Sequence, residues 1–423
     1  MNGLNPAGRM TNTLNPRYAI ARIGTIFLIL AYYTALVYSL DPSDTSWGAG
    51  SMPPVKYLPI VLAVCSWMLL VLGSNAPRNY TINIEKIAVF ALFVFMLIGS
   101  AYTVFSEGVA LEDSFIGRSL GLLVFFPAYK VFINEREKAF LLRLILPGAI
   151  LAGMAMFSMV FTWVFFWHFI YAPQIFHEEI FLSVNTAVIL WYYRSKFPPA
   201  VMLSLIIVIG GVLTVKNTGI LVSIVTLSVI LAITYDGVRN SSMAIRHFLK
   251  FVIIFSILAI ATVIVIIALE YSELIPSGSV EVRYLTYLQR LDMFFSNPFI
   301  GSAFTGSPLM DVSFLRIPSH SDIIDILAFG GLIGFFLFIV IVWNCGLSQT
   351  KLIMKITNGG DWSAAYFLVM FLSFIVEMMF NPVWGQPKLA FFFWMSAGYL
   401  SVVRSRARRV CRGDGRRRRV SRA

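Results

Sequence analysis

Between Arg283 and Gly334 the chain sets Arg283, Arg290, Arg316 and His320 in a polar stretch flanked by two long apolar segments. A guanidinium offers five donors in a planar fork and stays charged, which suits it to a phosphate or pyrophosphate. Arg283 and Arg290 are seven residues apart, so on one helix they lie on nearly the same face. The competing use of such arginines is snorkelling from an interfacial helix to lipid headgroups. Arg316 stands four residues before His320, with Pro318 between them. An imidazole with an unperturbed pKa of about 6.5 can take the proton of a hydroxyl or donate to a phosphate oxygen.

His320 also opens a longer pattern: His320–Ser321, nine residues, Gly331, two residues, Gly334. The glycines fall on the helix that follows, where small residues permit close helix packing. Asp322 and Asp325 share a face of that helix at i, i+3. Three more ionisable residues stand at apolar boundaries: Arg118 at the start of the fourth apolar run, Lys216 in the turn Lys216–Asn217–Thr218–Gly219, and Glu377 near the end of the eleventh. A charge at membrane depth costs about 2.5–3.5 kcal/mol on insertion scales, so such residues face a cavity, a partner or the interface. Glu377 is suited to be a counter-ion for one of the arginines or a proton acceptor. His168 and His177–Glu178–Glu179 lack the HExxH helical spacing, and no metal site is expected.

The elements that position these residues are membrane helices. Hydrophobic residues make up 58% of the 423 and charged residues 13%, with 37 Phe and a mean hydropathy of +0.80. Apolar runs recur at about the 20 residues that carry a helix across the hydrocarbon core, which excludes a soluble fold. The first run is longer than the roughly 7–15 residues of a signal-peptide core and reads as a retained span. Cys65 and Cys345 sit in or at the end of apolar runs and Cys411 in a basic tail, so no disulfide framework is implied. The surplus behind the net charge of +12 is concentrated between Arg404 and Arg422, directly after a membrane segment. That placement points to anionic membrane lipids and away from nucleic acid.

Breaking the apolar runs at polar, Gly and Pro clusters predicts an all-α polytopic integral membrane protein of about twelve spans, near 18–40, 55–74, 86–106, 116–133, 143–165, 180–193, 199–215, 219–235, 250–270, 323–345, 362–380 and 388–403. Residues 1–17 form a cytoplasmic tail, 18–403 the transmembrane domain with a periplasmic loop at 271–321, and 404–423 a basic cytoplasmic tail. With both termini inside, most cations fall in the cytoplasm. Lys56, Arg118, Lys216, Arg283, Arg290, Arg316 and Lys388 are left outside. The loop is too short for a domain of its own, given a usual minimum of about 50 residues. Its apolar pattern from Tyr284 to Phe295 fits an amphipathic helix at the interface, ended by Asn297–Pro298. No internal repeat is detectable, which weighs against an alternating-access transporter.

The region Arg283 to Gly334 resembles the bacterial O-antigen ligase and polysaccharide polymerase superfamily. The resemblance rests on Arg283 fifteen residues before Pro298, on the turn Asn297–Pro298–Phe299–Ile300–Gly301, and on His320–Ser321 through Gly331 and Gly334. It covers about an eighth of the chain in specific motifs and nearly all of it in topology. Members often carry a Ser-Arg or Ser-Lys pair where this chain has Lys216–Asn217–Thr218–Gly219. The resemblance implies a membrane-embedded GT-C type glycosyltransferase of the bacterial inner membrane, acting without metal or cofactor on an undecaprenyl-pyrophosphate-linked oligosaccharide and a glycan acceptor. His320 and Arg283 would be catalytic. Arg283, Arg290, Lys216, Arg316 and Arg118 would hold the pyrophosphate, with Asp322 and Glu377 in support. Polymerase and ligase both fit, other polysaccharide-assembly proteins are natural partners, and a transporter or a purely structural membrane protein are the alternatives from other classes.

Overall fold

The computed structural model describes residues 16–39, 54–73, 83–109, 114–166, 180–213, 217–236, 278–312, 315–318, 321–346, 362–379, 381 and 383–420. In chain order the helices are α1 (Pro16–Ser39), α2 (Leu58–Leu72), α3 (Ile84–Ser106), α4 (Ile116–Leu122), α5 (Phe125–Ile133), α6 (Glu135–Phe166) and α7 (Ile180–Tyr192). They continue with α8 (Pro199–Leu213), α9 (Asn217–Asp236), α10 (Gly278–Ser296), α11 (Asp322–Cys345), α12 (Trp362–Glu377) and α13 (Pro387–Val420). One antiparallel hairpin, β1 (Leu309–Val312) with β2 (Leu315–Pro318), joins α10 to α11.

A helix occupies each expected apolar run except 250–270, which lies outside the described residues. Among the described residues five helices are long and apolar enough to cross a membrane: Pro16–Ser39, Ile84–Ser106, Ile116–Ile133, Glu135–Ala155 and Asp322–Cys345. The architecture is that of a helical membrane protein. The span Ile116–Ile133 is α4 and α5 in series. At their junction the N–H groups of Leu123, Val124 and Phe126 donate to carbonyls three residues back, at 3.1–3.2 Å, so the helix tightens locally without ending.

The first part of α13 is the centre of the bundle. From Leu389 to Leu400 every side chain is buried, as a helix apolar on all sides must be. It packs against α1, α4, α5, α11 and α12, with Phe393 stacked on Phe371 at 5.0 Å and Tyr399 on Phe367 at 4.6 Å. Beside it, α7, α8, α9 and α12 form a second layer pinned by Asn185, whose amide oxygen accepts from Ser373 of α12 at 3.0 Å and Thr226 of α9 at 3.5 Å. Interhelical bonds of this kind contribute about 0.6 kcal/mol on average and up to about 1.7. Asn185→Leu is therefore expected to lower unfolding free energy by about 1–2 kcal/mol in a detergent unfolding titration, and an unchanged midpoint would contradict the pin.

Polar contacts of charged side chains mark both ends of the bundle. At one, Glu137 takes Arg22 at 3.2 Å and Thr25 at 2.6 Å, while Glu85 takes Arg404 at 3.1 Å and Ser401 at 2.8 Å. The starts of α1 and α6 thus meet each other, and the start of α3 meets the middle of α13. At the other end Lys388, at the start of α13, donates to the Tyr38 carbonyl at the end of α1, at 3.3 Å.

The segment after α10 is wedged into α11. Helix α10 stops at Ser296, directly before the expected Asn297–Pro298 terminator. Gly331 has φ 57° and ψ −160°, which interrupts α11 nine residues after its start. The backbone groups freed by the break pair with the incoming segment. Ser302 and Phe304 N–H donate to Ala328 and Phe329 carbonyls at 3.3 and 2.8 Å, and Leu332 and Ile333 N–H donate to Pro298 and Phe299 carbonyls at 2.8 and 3.1 Å. Such satisfaction is obligatory at membrane depth. Phe304 fills the core beneath, edge-on to Phe95 and Phe115. The expected role of Gly331 in helix–helix packing is thus corrected: its missing side chain admits a loop, with Gly301 as the facing partner.

Candidate functional site

At the end of the bundle where Lys388 meets Tyr38, four charged side chains from three elements converge. Arg118 of α4 reaches Asp325 at 2.6 Å and Asp322 at 3.4 Å. Arg290 of α10 donates from Nε to the same Asp325 carboxylate at 3.1 Å. Its Nη2 donates to the Pro308 carbonyl at 2.8 Å, and its guanidinium lies 4.4 Å from the Phe329 ring centroid. All four are buried: Arg118 6% exposed, Arg290 3%, Asp322 0% and Asp325 1%. Two cations and two anions cancel, which is what burial of charge requires. Burial pulls the Arg290 guanidinium below its ordinary pKa. Asp325 opposes that shift, and the nearby charge of Arg118 adds to it.

The local sequence explains the convergence. Ser321 caps α11, its side chain accepting from Ile324 N–H at 3.4 Å and donating to the Met378 carbonyl at 3.0 Å. The first turn then places Asp322 and Asp325 on one face, as their spacing predicts. The second Asp322 oxygen accepts from Trp384 N–H at 2.7 Å, so the turn between α12 and α13 is tied to the same spot. Helix α10 turns Thr286 and Arg290 inward and leaves Leu285, Leu288 and Phe295 exposed. The exposed face of α10 is mixed, since Gln289 and Asp292 are exposed beside these apolar side chains.

Arg118, Arg290 and Asp322 are thus brought together, with both arginines committed to aspartates. Glu377 is buried and accepts from the Asn381 amide. Arg283 lies on α10 two turns before Arg290, about 10 Å along the axis. Arg316 lies on β2, opposite Asp311 in the hairpin register. His320 and Lys216 fall outside the described residues; His320 is bonded to the capping Ser321, and α9 begins at Asn217 where a turn was expected. His168 and His177–Glu178–Glu179 also lie outside them. Among the described residues no group of three or more His, Cys, Asp or Glu is placed to hold a metal ion.

Asp325, which the sequence reading set beside Asp322 on one helical face without giving it a role, is the carboxylate shared by both arginines. Its i, i+3 relation to Asp322 was the available signal. The backbone anchors Met378 and Trp384 carried none, because their contacts come from tertiary packing alone. The cluster is a clamp: it fixes α4, α10 and the post-α12 turn around the first turn of α11, and so fixes both ends of the stretch from Arg290 to Asp322. Set against protein-family models, curated proteins and solved structures, the chain matches none.

Proposed function

We propose that the protein is a glycosyltransferase of the bacterial inner membrane that joins undecaprenyl-pyrophosphate-linked oligosaccharide repeats into an exopolysaccharide or O-antigen chain at the periplasmic face. The observation that carries this reading is the buried clamp of Arg118, Arg290, Asp322 and Asp325, which ties the helix of Arg283 to the first turn of the helix that begins two residues after His320. Its position favours the end of the bundle holding Lys388 as the outer one, with both termini cytoplasmic.

In the reaction the hydroxyl oxygen of the acceptor bonds to the anomeric carbon as the bond from that carbon to the phosphate oxygen breaks. The hydroxyl proton passes to His320 or to the departing lipid pyrophosphate, and configuration inverts. Arg283, with Lys216 and Arg316, meets the charge that develops on the leaving diphosphate, the task for which preorganised donors are most effective. Arg118 and Arg290, each paired with an aspartate, hold the frame.

Synthesis from purified lipid-linked repeats tests this. His320→Ala is expected to lower turnover by about 10²-fold or more, the usual contribution of a positioned acid or base. Arg283→Ala should do likewise and Arg283→Lys should recover only part, since an ammonium lacks the planar fork. Unchanged chain length and yield in both alanine variants would overturn the reading.

The ligase that passes a finished glycan to lipid A-core uses the same chemistry. A deletion strain separates them: loss of long chains supports the polymerase, whereas intact chains held on the lipid carrier support the ligase. One observation favours transport of lipid-linked sugar, the interrupted helix α11, since broken helices line transporter sites. In that case the deletion strain would hold unpolymerised repeats on the cytoplasmic side.

A further inference from the structure

We infer that Thr103 of α3 is a positioning residue for the strand of Arg316: its hydroxyl and the Arg290 guanidinium grip the root of the hairpin from two helices. This rests on the glycosyltransferase reading, in which Arg316 meets the donor diphosphate. Thr103 is fully buried in the last turn of α3. Its hydroxyl donates to the Gly99 carbonyl at 3.1 Å, which leaves the oxygen lone pairs free to accept. They take the N–H of Gly306 at 2.7 Å. Two residues on, the Pro308 carbonyl takes Arg290 at 2.8 Å, and β1 begins at Leu309. The chain is therefore held on both sides of Ser307, by α3 and by α10, directly before it enters the hairpin.

The backbone that leads to this grip is strained. Ala303 and Phe304 have φ of 55° and 59°, a region that residues other than glycine seldom enter. Strain of this kind persists only where the surroundings over-determine it, and it gathers where a group must be aimed. Here the surroundings are α3 and α11. Gly99, one turn before Thr103 on the same face, has no side chain, and one built there would stand 1.9 Å from the Ala303 carbonyl oxygen. On the other side Ser302 and Phe304 are tied to α11 by their N–H groups. Gly306 lies beyond that wedge, and a Cβ on it would meet nothing within 4 Å. Close packing does not fix that side of Gly306, so its bond to Thr103 sets the direction in which the chain leaves.

Released at Gly306, the hairpin would keep its anchor on Arg290 and sample other placements about it. The affinity for the diphosphate then falls by the fraction of time that the strand stands in place. One neutral hydrogen bond is worth about 2- to 10-fold in such an equilibrium. The loss belongs to donor binding and passes through Arg316.

The test uses the full chain in lipid nanodiscs. With Cys65, Cys345 and Cys411 replaced by alanine, spin labels at Phe105→Cys on α3 and Val312→Cys on β1 report where the hairpin stands. Thr103→Val removes the acceptor and keeps the shape, whereas Thr103→Ser keeps the acceptor. The distance distribution is expected to broaden in the valine variant and to match the parent in the serine variant; no change in the valine variant would overturn the proposal. The probe of the site is farnesyl diphosphate in equilibrium dialysis. Thr103→Val should weaken its binding by about 2- to 10-fold, with Thr103→Ser at the parent value. In an Arg316→Ala background the valine change should have no further effect, a pattern that a general loss of structure does not produce, and additive losses would overturn the positioning role. Neither readout needs turnover. This pattern in a chain that makes no polymer keeps the positioning role and removes the transferase reading, while polymer synthesis with Thr103→Val equal to the parent in both readouts does the opposite. A parent chain that binds no farnesyl diphosphate overturns both. Should the valine variant fail to accumulate, Thr103→Ala removes the same acceptor and is read in the same way.

Discussion

Asp325→Asn is expected to lower unfolding free energy by about 3–5 kcal/mol, the cost of stranding a buried charge. Its carboxylate takes Arg118 at 2.6 Å and Arg290 at 3.1 Å, so removing one negative charge leaves a net cation in a place almost closed to solvent. Arg118 retains Asp322 at 3.4 Å, but Arg290 is left with neutral acceptors only: the new amide oxygen, the Pro308 carbonyl and the Met293 sulfur. Equilibrium unfolding in mixed micelles measures the loss. The pair Asp325→Leu with Arg290→Met should recover more than half of it, because the double change removes the cost of burying both charges. If the single variant loses under about 1 kcal/mol, as an exposed ion pair would, the clamp does not exist as described.

The second large effect separates two glycines of one motif. Gly331→Ala is expected to cost about 3–5 kcal/mol and to deplete folded protein in size-exclusion profiles. Its φ of 57° and ψ of −160° belong to glycine alone, a strain of about 1–3 kcal/mol for any other residue. An added Cβ would also stand 2.5 Å from Gly301 N and the Phe299 carbonyl, which are backbone atoms held by hydrogen bonds on both sides. Overpacking of that kind adds about 1–3 kcal/mol. At Gly334 the nearest atoms to a new Cβ are those of the Phe304 ring at 3.5 Å, an ordinary contact. Gly334→Ala should therefore change stability by under about 1 kcal/mol. Equal losses in the two variants would mean that the loop does not enter the break.

The contrast between these glycines also measures what could be read from the sequence. The long apolar runs, the end of α10 before Asn297–Pro298 and the shared face of Asp322 and Asp325 were legible, because each depends on residues within a few turns of one another. The partner of those aspartates was not. Arg118 lies 204 and 207 residues from them, and no local period encodes which helix a charge will meet. Gly331 was seen as a packing residue, since sequence shows that a side chain is missing but not what fills the space. The tightening between α4 and α5 left no punctuation, neither Gly nor Pro standing at Leu123 or Val124. Chemistry-bearing residues were easier to find than their neighbours: a cation in an apolar chain is conspicuous, whereas the hydroxyl of Thr103 becomes conspicuous only when its surroundings are known.

The charge balance of the clamp decides how the protein answers to ionic strength. Mobile counter-ions screen exposed charges over about 8 Å at physiological salt, but they do not enter a space where no side chain is more than 6% exposed. The grip of Asp325 on its two arginines is therefore the same in dilute and in concentrated buffer. The attraction to anionic headgroups expected of the Arg-rich tail from its sequence would fade over that range, whereas the assembly of α4, α10 and α11 would be left untouched.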